Sequence, residues 1–161
     1  MIHRLSRYLI RYMPGFENAY ISREAAMLGA RESWRIRGRY YLTEADYYGE
    51  ARFPDAAACT AWYIDAHGER VEAPLPEGRF YEIPYRSLVT KEVPNLIVTG
   101  RCISASFAVQ ASMRIQPTCM SLGEAAGVAA AWAFHHGREV NRLAWAEIPP
   151  KARSYISAGG G

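Results

Sequence analysis

The residues with the most chemical potential in this sequence lie between Gly100 and Met120. Gly100 and Arg101 close a short apolar run, and Ser104, Ser106, Gln110 and Ser112 follow as a polar loop. Arg114 to Thr118 then lead into an exposed helix N-terminus, with Pro117 suited to a first helical position. Such an end carries about half a positive charge and several unpaired N–H groups, so it can seat an anion or a polarised carbonyl. Behind it, Gly123, Gly127 and Ala131 recur every fourth residue and strip one face of the helix of side chains. Glycine inside a helix costs about 1 kcal/mol relative to alanine, so a bare face implies the close approach of something flat, a sheet or a ring system. Tight packing of the helix on a sheet, with no ligand, is the plain alternative.

Other chemistries find no footing. His135 and His136 are adjacent at the helix end and project in different directions, which suits the helix C-terminus and not a shared metal; His3 and His67 read as surface residues. No serine, histidine and aspartate fall at a spacing that reads as a hydrolytic triad. Cys59, Cys102 and Cys119 are an odd number without a CxxC pair, so neither a disulfide framework nor a zinc site is indicated. A reducing, cytoplasmic setting is expected.

The elements that must position these residues fit in one ordinary domain of 161 residues. Half the residues are apolar and 22% are charged, with 19 basic against 16 acidic, so disorder and dedicated nucleic-acid binding both fit poorly. The longest weakly polar stretch, Ala125 to Phe134, is far shorter than the ~20 residues of a spanning helix, and Met1 begins no signal peptide. The sequence predicts a soluble protein with no membrane or nucleic-acid partner.

Along the chain, Ile2, Leu5, Leu9 and Met13 fall at helical spacing, with Arg4, Arg7 and Arg11 on other faces and Pro14-Gly15 as the stop. This reads as a packed helix with a solvated basic face, in preference to a basic amphipathic helix that touches a membrane or an acidic partner. Residues 36–42 suggest a strand, Thr43 with Asp46 a capping box, 61–66 a strand ended by His67 and Gly68, and 80–89 one or two strands interrupted at Pro84. Pro74, Pro76 and Gly78 mark a surface loop. The run Asn95 to Thr99 reads as a strand buried on both faces, 117–136 as the helix, Gly137 as its C-terminal cap and Ser157 to Gly161 as a flexible end.

Three ordered segments, Asn95–Ser104, Ser112–Met120 and Leu122–Ala131, resemble the C-terminal signature of FAD-dependent oxidoreductases with a glutathione-reductase-type flavin domain. Gly29–Gly38, Tyr41–Glu44 and Ile83–Arg86 resemble the same family in the same order, so the likeness runs from about Tyr12 to Ala133. The resemblance implies FAD as cofactor and a small organic substrate. It places Gly100 and Arg101 beside the ribityl and phosphate region and the backbones of Thr118, Cys119 and Met120 at the flavin's pyrimidine edge, and it counts Pro117 among the cofactor-binding residues. Gly123 and its stripe would lie under the flavin domain's sheet or against the cofactor. The side chain of Thr118 also reads as a cap, and that of Cys119 as a small buried hydrophobe.

Arg31, Arg35 and Arg114 lie in the motif segments and are the candidates for catalysis, because a guanidinium binds carboxylates with a planar fork. Each reads equally as an ordinary ion pair, with Glu32 or Glu44 as partner. Trp34 stands where the motif leads one to expect a second basic residue, a departure that bears on substrate specificity.

The family's pyrophosphate site, a GxGxxG turn on an N-terminal βαβ unit, has no counterpart in the 161 residues. The expected architecture is therefore α+β, the C-terminal part of a two-domain flavoprotein. Residues 1–90 would be a substrate-domain remnant, 91–137 the last strand and long helix of the FAD-binding domain, and 138–161 a tail. Its expected partners are the substrate, an N-terminal half carrying the missing turn, and further copies of itself. A non-catalytic fragment or subunit completing a partner chain is the rival reading.

Overall fold

The computed structural model describes residues 1–66 and 75–149. Expectations placed on His67, Gly68, Pro74 and the Ser157 to Gly161 end lie outside those residues. The chain divides into two units, Met1–Ala30 and Arg31–Gly161.

In the first unit, helix α1 spans Ile2–Tyr12 and ends where the Met13 N–H bonds the Leu9 carbonyl at 2.9 Å; Gly15 follows at φ +90°. The expected helix is present, but its expected packing is not, since no residue of α1 is buried and Leu5 stays 57% exposed. His3 Nε2 lies 3.3 Å from a Glu24 carboxylate oxygen.

The second unit is α+β. It contains α2 (Glu44–Tyr48), β1 (Ala56–Thr60), β2 (Tyr81–Pro84), α3 (Phe107–Met113) and α4 (Gln116–His135). The strands pair antiparallel with Ala58 opposite Ile83 and Thr60 opposite Tyr81, and a bulge falls between Ala56 and Ala58. The buried face of α4, Leu122, Ala125, Ala126, Ala129 and Ala133, packs toward β1, whose Ala57 and Ala58 are also buried. Alanine on both sides lets helix and sheet approach closely. Tyr47, Tyr81, Tyr85, Ile83, Leu88 and Ile103 fill the space around them. At roughly 1.5–3 kcal/mol for each large apolar side chain fully buried, this core is substantial although the sheet has two strands among the described residues. After α4 the chain returns to it through Val140, Leu143, Trp145 and Ile148, with the Trp145 ring stacked on Tyr85 at 5.1 Å.

Several elements match the sequence reading. Asp46 accepts from the Thr43 N–H at 2.8 Å, the capping contact that opens α2. β2 ends at Pro84 and passes into a 3-10 turn, Tyr85–Ser87. Gly78 turns the loop beyond Pro76 at φ +79°, and Gly137 follows α4 at φ +60°.

Four expectations need correction. Residues 61–66 form no strand; the strand lies five residues earlier, in Ala56–Thr60, where packing against the small face of α4 outweighs the weak strand preference of alanine. Residues 36–42 make only isolated bridges, Gly38 to Thr90 and Leu42 to Ala105. Asn95 to Thr99 is not a strand buried on both faces. Asn95 at φ +57° and Gly100 at φ +74° bracket the run, only Ile97 bridges, to Val89, and Leu96 is exposed. Finally, the polar loop before α4 contains α3, capped where Ser106 Oγ accepts from the Val109 N–H at 3.3 Å.

Candidate functional site

The site grows from the turn that precedes α4. Gly100 opens a 3-10 turn, Gly100–Cys102, which packs against α4, and Arg101 Nε reaches the Arg114 carbonyl at 3.4 Å. Gly100 sits at φ +74° with nothing within 4 Å of where a Cβ would stand, so glycine is there for backbone direction and not for want of space.

At the head of α4, the Cys119 N–H already bonds the Ile115 carbonyl at 3.0 Å. Pro117 has no N–H. Among the described residues, the donors without a backbone acceptor in this turn are therefore those of Gln116 and Thr118. Thr118 is buried, Cys119 half-buried and Met120 exposed. Burial pushes the Cys119 thiol up, against a smaller opposing effect of the Arg101 guanidinium, so the thiol is neutral at physiological pH and behaves as a small apolar group. Gly123, Gly127 and Ala131 lie away from the packed face. Gly127 and Ala131 are exposed, and a Cβ added at Gly123 or Gly127 would meet nothing within 4 Å. The stripe is half-buried at Gly123, exposed at Gly127 and Ala131, and continued by exposed Met120 and Phe134.

The three arginines separate into two groups. Arg31 Nη2 lies 2.9 Å from Asp65 Oδ2, and Arg114 Nη2 donates to the Asp65 carbonyl at 2.5 Å and lies 3.7 Å from the same Oδ2. Asp65 thus joins two motif segments 83 residues apart, Arg31 and Arg114. The Arg114 side chain is only 9% exposed against 48% for Arg31, so Arg114 is held as a fixed charge while Arg31 keeps solvent-facing donors. Gln110 fastens the same corner, its Nε2 donating to the Arg31 carbonyl at 3.2 Å. Ser112 Oγ donates to the Trp62 carbonyl at 2.6 Å and lies 3.0 Å from the Tyr81 hydroxyl. Sequence reasoning missed Asp65, because nothing local marks a carboxylate whose partners lie 34 and 49 residues away.

Arg35 stands apart from this pair. Its Nη1 bonds Glu32 at 2.5 Å, one of the two partners anticipated, and it lines a cavity of about 520 Å³ with Trp34, Arg37, Gly38, Tyr41 and Ser104. The cavity is tied to the Gly100 turn, because the Ile36 N–H bonds the Cys102 carbonyl at 2.9 Å. Gly38 is required by close approach: a Cβ there would stand 2.6 Å from the Ser104 Cβ.

All three cysteines are free thiols, and among the described residues no group of three or more His, Cys, Asp or Glu is placed to hold a metal ion. His136 stacks on Trp132 at 3.9 Å, at the end of α4. No helix among the described residues is long and apolar enough to cross a membrane. In comparisons with known proteins, the family model described as FAD dependent oxidoreductase matches residues 1–151. No curated protein and no solved structure matches the chain.

Proposed function

The chain belongs to the FAD-dependent oxidoreductase family, and from that premise we propose that it supplies the C-terminal part of an enzyme that moves electrons between a small organic substrate and FAD. The observation that carries this reading is the coincidence at the head of α4 of two free N–H donors, Gln116 and Thr118, with an uncovered side-chain-free stripe beginning at Gly123. A flat ring system fits the stripe, and the donors suit a ring edge that gathers negative charge. When bound, FAD would supply two-electron transfer, with charge in its reduced form near N1 and the C2 carbonyl. The helix N-terminus favours that charge without reorganisation, because its donors are fixed by the helix.

Around this end, Gly100 and Arg101 direct the entering backbone, Pro117 starts the helix, and Cys119 and Met120 contribute apolar surface. Arg31 binds and orients a carboxylate of the substrate. Arg114, locked to Asp65, fixes the position of Arg31 through the shared carboxylate and adds positive charge to the corner. Arg35 belongs to the neighbouring cavity.

The residues present do not fit the whole cofactor. No GxGxxG turn occurs in the 161 residues, so the pyrophosphate is seated by an N-terminal half, carried in a longer polypeptide or by a partner chain. The open stripe with Met120 and Phe134 is where that half, or another copy of this chain, covers α4. The free thiols support a cytoplasmic setting.

Fluorescence titration tests the reading without any substrate. Lumiflavin carries the ring system alone, while FAD adds pyrophosphate and adenosine. The 161-residue chain is expected to bind both weakly and within about threefold of each other. FAD binding a hundredfold tighter than lumiflavin would show that the chain holds its own pyrophosphate site, and no binding of either would remove α4 as the flavin's seat.

A further inference from the structure

The cavity beside the Gly100 turn has a chemistry of its own. Arg37 makes no hydrogen bond or ion pair among the described residues, whereas Arg35 next to it is already paired with Glu32. Trp34 is 92% exposed and Tyr41 is 55% exposed, so two aromatic side chains border the opening with little else covering them. At the inner end stands Ser104, fully buried, with both backbone groups in use: its N–H bonds the Ser87 carbonyl and its carbonyl accepts from Leu42. Its Oγ, however, has no hydrogen-bond partner among the described residues. A buried hydroxyl without a partner is uncommon, and here it belongs to a residue that lines a cavity.

We infer that this cavity binds a small ring-bearing carboxylic acid, with the Arg37 guanidinium and the Ser104 hydroxyl holding the carboxylate and the Trp34 and Tyr41 rings flanking the ring. A free guanidinium gives a planar fork that matches a carboxylate. Ser104 Oγ is closed off in the unliganded chain, so it reaches the second carboxylate oxygen only when the side chain turns about χ1 and the cavity wall at Gly38 gives way, which ends the isolation of its Oγ. The volume, about 520 Å³, falls in the range of small-molecule sites. The inference gives a substrate class to the redox reading and rests on that reading only for the consequence of binding. Binding itself needs no flavin.

Benzoate is the probe, read by tryptophan fluorescence and by calorimetry on the full chain without flavin. Saturable binding is expected, with affinity at least tenfold weaker for acetate, which lacks the ring, and for benzyl alcohol, which lacks the charge. Arg37→Ala should weaken benzoate at least tenfold. Ser104→Ala should weaken it several-fold while leaving the melting temperature unchanged or higher, since the removed hydroxyl has no partner. Trp34→Phe should abolish most of the fluorescence change yet keep the calorimetric signal. Equal affinity for benzoate and acetate, or benzoate binding untouched by both Arg37→Ala and Ser104→Ala, would overturn the assignment. Because FAD and lumiflavin binding are measured separately, loss of the flavin reading would leave this result standing, and the reverse.

Discussion

The two faces of α4 are made of nearly the same residues and are used in opposite ways. On one face, Ala125, Ala126, Ala129 and Ala133 are buried toward β1. On the other, Gly123, Gly127 and Ala131 have open space where a side chain would go. Small residues on the first face are explained by packing that is present. On the second, two glycines lower the stability of the helix by about 1 kcal/mol each relative to alanine, with no compensating contact at the Cβ position among the described residues. Small size by itself therefore does not mark a ligand surface; small size without a neighbour does.

The largest expected effect separates the faces by titration. Burial and the nearby Asp46 carboxylate push Tyr40 up from 10.0 to about 12, and burial also raises Tyr81 and Tyr85. A raised folded-state pKa contributes stability that is complete below the unfolded value and is lost as the pH rises through the folded value. Melting temperature should thus begin to fall above about pH 9, where the half-buried thiols of Cys59 and Cys119 start to titrate in the unfolded chain, and fall further between about pH 10 and about 12 as the tyrosines follow. The stripe contains no ionisable side chain, so its exposure does not change before the core fails. A melting temperature that is flat through pH 12 would mean that these hydroxyls are more open to water than their surroundings imply.

Next comes a matched pair of substitutions. Ala129→Leu overfills the contact with β1 and should cost about 1–3 kcal/mol. Ala131→Leu, two residues away on the exposed side, should change stability by less than about 0.5 kcal/mol. Equal losses in urea denaturation would place both residues in contact with the core and end the contrast between faces.

Part of this was legible in advance. α4, its start near Pro117 and its end at Gly137 follow from composition and caps, and the bare stripe follows from the four-residue spacing of Gly123, Gly127 and Ala131. β1 was misplaced because Ala56–Thr60 has little intrinsic strand preference, while the aromatic residues of 61–66 have more; the partner across the interface decided. α3 was hidden by its own composition, since Gln110 and Ser112 read as solvent-exposed and are instead buried, bonded to Arg31 and to Trp62 and Tyr81. The Arg35 to Glu32 pair was legible because it is local, three residues apart. Asp65 was not, because ion pairs between distant segments leave no sequence period.

A smaller effect of opposite sign tests the surplus glycine. Gly127→Ala has room for its methyl group and should stabilise the chain by up to about 1 kcal/mol, through helix preference alone. A loss of stability would show that the stripe is already in contact with something inside the chain.

Binding of lumiflavin to Gly123→Leu tests the central claim most directly, with Arg138→Ala as the control beyond the end of α4. A Cβ at position 123 meets nothing within 4 Å, so the variant should fold with an unchanged or slightly higher melting temperature. It should nevertheless lose lumiflavin affinity at least tenfold, while Arg138→Ala binds as the unmodified chain does. A folded Gly123→Leu protein that binds lumiflavin as well as the control would contradict the account, because the bare face of α4 would then have no part in holding a flavin.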